Sequence, residues 1–132
     1  MSINFDYRIE TDRKMAIVTP SGVPDFPSSI DAIRAVASDL AFGPDFGVLC
    51  DFREIQYTPS VSELSDVGRF LGMPGVFKDH KIAMVVSSNA HLALARILAT
   101  VANAWGTQMS VFTGIAEAEG WLSEEKSNPL TL

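Results

Sequence analysis

The chain is expected to adopt an α/β fold: a mixed five-stranded sheet with about four helices. Three observations lead there. Near the N-terminus an alternating segment, NFDYRIE, is followed at once by a short apolar run, MAIVT. Further on, GVLCDF and IAMVV are apolar at consecutive positions, as expected of strands covered on both faces of a parallel sheet. Between these runs lie amphipathic segments with helix-start signals. The resulting order is β-β-α-β-α-β-α-β-α, with an N-terminal antiparallel hairpin and the remaining strands parallel through right-handed crossovers.

The elements follow in turn. In Asn4–Glu10, Phe5, Tyr7 and Ile9 share one side and Asp6 and Arg8 the other, the pattern of a half-buried strand. Thr11-Asp12 reads as a tight turn into Met15–Thr19, and Pro20 and Gly22 end that strand. A helix capped by Ser28 or Ser29 carries Ile30, Ile33, Ala37 and Leu40 at helical spacing, and Gly43-Pro44 stops it. The third strand spans about Gly47–Phe52. Ser60 and Glu63 have capping-box spacing, and Val61, Leu64, Val67, Phe70 and Leu71 form the buried side of the helix they open. Ile82–Val86 is the fourth strand, and Ser87-Ser88-Asn89 caps a helix running to about Trp105, where Gly106 ends it. Gln108–Phe112 is the fifth strand, and Ile115, Ala118, Trp121 and Leu122 mark the last helix. One domain is expected over residues 1–123, with 124–132 as a loose tail because Asn128-Pro129 cannot extend a helix.

Composition excludes several classes. The 132 residues suit one domain, and 47% hydrophobic with 20% charged residues is a globular balance. A net charge of −6 disfavours nucleic acid and anionic lipid surfaces. The single cysteine, Cys50, permits no intrachain disulfide and lies in a strand-like run, where a small core residue is expected. The N-terminus has neither the basic start nor the apolar segment of a signal peptide, and no apolar run approaches the roughly 20 residues of a membrane span. A cytoplasmic protein without membrane insertion is the expectation.

No motif for catalysis stands out. His80 and His91 lie in different elements without metal-ligand spacing, no serine sits in a nucleophile elbow, and no glycine-rich phosphate loop occurs. Neither a metal nor a cofactor is expected. Asp51, Arg53 and Glu54 form a charged strand end of the kind common on surfaces. Ser60 reads first as a helix cap and second as a phosphorylation candidate. Ser87, Ser88 and Asn89 stand at the next strand-to-helix junction, where a polar end of a ligand could be oriented. Met73, Val76 and Phe77 make an unusually apolar loop, so Met73 and Phe77 are candidates to line a pocket or interface. The segment AHLALARILATVANAW carries Leu94, Ile97, Leu98, Val101 and Trp105 on one stripe and Ala95, Ala99 and Ala102 on another. A helix apolar over so much of its circumference needs contacts on two sides. Leu92, Ala95, Arg96, Ala99 and Ala102 are therefore interface candidates, either against a neighbouring helix or across a homodimer.

The stretches VLCDFREI, KIAMVVSSNAHLALARILATVANAWG and MSVFTGIAEAEGWL resemble the anti-sigma-factor antagonist (STAS) family, in particular its small stand-alone bacterial branch. The resemblance covers nearly the whole chain. It implies the central strand ending in Asp51, a long helix with Arg96 midway, and a closing helix with Glu117, Ala118, Trp121 and Leu122. Phosphorylatable members carry an Asp-Ser pair at the start of the second major helix; the matching pair here is Pro59-Ser60, so the serine is present and the aspartate is not. The resemblance implies a non-enzymatic regulatory module acting through protein–protein contacts, with a regulatory partner protein. The alternative is a carrier or sensor of a small apolar or amphipathic ligand. The two predict different observables: a carrier should show an enclosed apolar pocket, whereas a regulatory module should show a flat apolar face and no sizeable internal cavity.

Overall fold

The computed structural model describes residues 5–21 and 25–124. Five strands, β1 (Phe5–Glu10), β2 (Met15–Pro20), β3 (Gly47–Asp51), β4 (Lys81–Val85) and β5 (Gln108–Phe112), form one sheet in sequential order. The first pair is antiparallel and the rest are parallel, with Ala16 opposite Val48, Val48 opposite Ile82 and Ile82 opposite Met109. The helices are α1 (Phe26–Ser38), α2 (Val61–Leu71), α3 (Asn89–Trp105) and α4 (Ile115–Ser123). The α/β class, the strand pairing and the helix count are those expected from the sequence.

Sequential strand order dictates the layers. Each parallel step moves the same way across the sheet, so right-handed crossovers place α1, α2 and α3 on one face. Ala16, Val18, Val48, Ile82, Met84 and Met109 point to that face and share a core with Ala32, Val36, Leu64, Leu71, Leu98 and Ala102. The intervening residues Met15, Ile17, Leu49, Ala83 and Val85 point the other way, where α4 covers them through Ala118. The two-residue side-chain period of the strands thus divides one apolar sequence between two cores.

The helices on the crowded face do not rest on the sheet equally. The α3 backbone lies close along β5, whereas α2 approaches α3 and α1 and comes comparably near no strand. Two glycines account for the α2–α3 seam. A Cβ at Gly68 would lie 2.7 Å from Val101, and one at Gly72 would lie 2.6 Å from the Trp105 backbone. Ala102, fully buried, sits opposite Gly68. Small residues draw the two helices together, and α2 rides above the sheet.

Several local expectations are corrected. Helix α1 is capped by Asp25, not by Ser28 or Ser29: Asp25 accepts from the Ser28 N–H at 2.8 Å and Ser28 Oγ accepts from the Asp25 N–H at 2.9 Å. Pro27 in the first turn needs no N–H partner there. The helix ends at Ser38, well before Gly43-Pro44, so Leu40 lies outside it and is fully exposed. Asp39 stops it, since its carboxylate accepts from the Ala41 N–H and from Tyr7 Oη at 2.8 Å. Asn4 and the anticipated tail from 125 onward fall outside the described residues.

Candidate functional site

Beneath α2 lies an apolar cavity of about 140 Å³. Its floor is the sheet: Val18, Val48, Cys50, Ile82, Met84 and Met109. Its roof and walls are Ala32 and Val36 of α1, Leu64, Val67 and Leu71 of α2, and Leu94, Ala95 and Leu98 of α3. Phe77 is also part of its wall, close in sequence to the start of β4. The polar side chains around it are Ser29, Tyr57, Glu63 and His91. All four follow the carboxyl ends of parallel strands, on first helical turns or on the β3–α2 connection, the edge where open α/β sheets place their ligands.

These groups are already organised. Tyr57 Oη donates to Glu63 Oε2 at 2.7 Å, and Glu63 Oε1 accepts from the Ser60 N–H at 2.9 Å. Ser60 Oγ in turn accepts from the Glu63 N–H at 3.1 Å, completing the capping box. The Ser60 N–H and the Tyr57 hydroxyl hold the Glu63 carboxyl below the usual carboxylate range. Burial, the Glu63 hydrogen bond, and the Glu63 and Asp25 charges push the Tyr57 phenol up to about 12. Burial alone pushes the Cys50 thiol up to about 12. Cys50 is therefore an apolar lining residue and a poor nucleophile at neutral pH.

The β3–α2 connection has two sides. Phe52, Ile55 and Tyr57 face the cavity, while Arg53, Glu54 and Gln56 border a separate polar crevice of about 770 Å³ shared with Thr19, Pro20, Ser21, Asp51 and Ser87. Arg53 grips Asp51 through Nε at 2.8 Å and Nη2 at 3.0 Å, which holds the Asp51 carboxyl low. Ser87 Oγ donates to the Arg53 carbonyl at 2.6 Å.

The sequence candidates disperse. Phe77 is buried and lines the cavity, whereas Met73 is exposed and lines neither space. Ser87 belongs to the polar crevice. Ser88 caps α3 by accepting from the His91 N–H at 3.0 Å, and Asn89 is exposed at its first turn. Ser60 is exposed and engaged as the α2 cap. Ala95, Ala99 and Ala102 are buried within the subunit, Leu92 is half-buried and Arg96 is exposed. The small-residue stripe thus packs inside the chain, with Ala102 against Gly68 of α2, and leaves Ile97 and Trp105 outward at 37% and 54% exposure.

Tyr57, Glu63, His91 and the cavity-facing Ala32 were missed as site residues. One signal was available: Phe52, Ile55 and Tyr57 place apolar and aromatic side chains in a connection that otherwise reads as polar. Among the described residues no cluster of His, Cys, Asp or Glu could hold a metal ion, and no helix is long and apolar enough to cross a membrane. No family model, curated protein or solved structure matches the chain.

Proposed function

We propose that this protein is a non-enzymatic binding module, a carrier or sensor that encloses a small apolar or amphipathic molecule between its sheet and α2. The observation that carries this reading is the cavity itself. Apolar cavities of about 150 Å³ stay dry and admit a benzene-sized guest. The lining here is almost wholly apolar, so a guest is held by the apolar surface it covers. The Cys50 thiol and the Tyr57 phenol, both pushed up to about 12, lie far from the working range of a nucleophile or general acid.

Thermal unfolding with toluene or indole tests the proposal. A guest at a hundred times its Kd should stabilise the fold by about 2.7 kcal/mol. Ala95→Leu, which adds bulk into the space, should remove that response while the protein stays folded. Absence of stabilisation by any apolar guest, together with a bare mass in native mass spectrometry, would reject it.

The protein–protein reading implied by the STAS resemblance has separate support in the exposed Ile97 and Trp105 of α3. Solution mass by light scattering tests its homodimer form, with a monomer at all concentrations counting against it.

A further inference from the structure

We infer that the guest carries a neutral or cationic hydrogen-bond donor, such as a hydroxyl or an amine, on its apolar body, and that anionic amphiphiles such as carboxylates are excluded. The inference rests on the cavity-binding reading and adds the chemistry of the guest's polar end.

Two observations support it. The first is charge. No lysine or arginine is among the described residues around the cavity, whereas Glu63 lies on its lining and the Asp25 carboxylate is close enough to act on Tyr57. Both carboxyls are held below their usual range, Glu63 by the Ser60 N–H and Tyr57, Asp25 by Ser28, so the polar end is negative at neutral pH. An anionic head placed there meets like charge.

The second is the disposition of hydrogen bonds. The α1, α2 and α3 N-termini approach this edge, and free N–H groups there would attract an anion. At each terminus one such group is already taken: the Ser28, Glu63 and His91 N–H groups donate to Asp25, Ser60 and Ser88 respectively. The Tyr57 hydroxyl spends its proton on Glu63, leaving oxygen lone pairs, and Ser29 Oγ spends its own on the Asp25 carbonyl at 3.0 Å. The polar side chains lining the cavity therefore offer mainly acceptors, with the His91 imidazole able also to donate. A donor on the guest is the complement of such a rim.

The test uses the full chain and four probes of one ring size: toluene, benzyl alcohol, benzylamine and benzoate. Affinities are read by NMR shifts of the Ala95 and Met84 methyl groups at about pH 8. Benzyl alcohol or benzylamine should bind at least about tenfold more tightly than benzoate. Glu63→Gln keeps the capping-box geometry, because glutamine also serves at that position. It should narrow the gap to about threefold or less by admitting benzoate. If toluene binds and benzoate equals the alcohol and the amine, the donor inference fails and the cavity reading stands. If Glu63→Gln leaves the gap unchanged, Glu63 is not the discriminating charge and the inference is overturned. If none of the four binds, both readings fall.

Discussion

The two faces of the sheet are built differently. On one, α4 rests directly on the strands, with Ala118 fully buried against a surface that includes Ala83 and Val85, both also fully buried. On the other, α2 is held sideways by α3 through Gly68 and Gly72 and leaves a gap above Val48, Cys50, Ile82 and Met84. The lesson is that apolar content alone does not decide whether a core is solid. The direction in which small residues pull a helix does. Where alanine meets the sheet, the layers close; where glycine and alanine meet across two helices, the layer beneath stays open.

The sharpest way to break this comparison is the same substitution on both faces. Ala118→Leu should overpack the closed side and cost about 2–3 kcal/mol in chemical denaturation. Ala95→Leu, on the open side, should be neutral or slightly stabilising, because the added methyl groups enter existing space. Equal losses for the two variants would mean that the open side has no usable room.

A smaller effect sharpens the contrast between helix ends. Helix α4 begins at Gly114 with no side-chain cap, whereas α2 begins with the reciprocal Ser60–Glu63 pair. A helix with little direct support from the sheet depends more on its own terminus. Ser60→Ala should therefore cost about 1 kcal/mol, and Ser60→Asp should restore most of it because aspartate caps as well as serine. A loss for the aspartate variant as large as for alanine would show that the hydroxyl does more than cap.

A third effect is in pH. The Tyr57 phenol is raised in the folded state, so its contribution is fully present below the ordinary tyrosine value near 10 and is lost as pH rises from there through about 12. Thermal midpoints should fall across that window, and Tyr57→Phe should flatten the fall. Tyr7, raised in the same direction by its hydrogen bond to Asp39, leaves a residual slope. Asp25 and Glu63 give the opposite limb: being lowered, they stabilise above the ordinary carboxylate values near 4 and lose that contribution as pH drops through their folded values.

Much of the architecture was legible in the sequence because it is written in local periodicity. Alternation in NFDYRIE marked the edge strand, unbroken apolar runs marked β3 and β4, and Ser60 with Glu63 marked the start of α2. The start of α1 was misplaced because Asp25-Phe26-Pro27-Ser28 holds two competing cap signals, and the earlier residue won. The cavity was not legible. It depends on where α2 sits relative to the sheet, which depends on Gly68 and Gly72 meeting Val101 and Trp105, contacts between residues more than thirty positions apart. For the same reason the sequence left open whether Ala95, Ala99 and Ala102 of α3 meet a neighbouring helix or a second subunit, and all three are buried within the chain.

The glycine seam has a mechanical consequence. With no room for a Cβ at Gly72, α2 lies hard against the α3 backbone at Trp105, so a shift of either helix should be felt by the other. The indole of Trp105, seated at that contact yet open to solvent, is placed to report such a shift by its fluorescence.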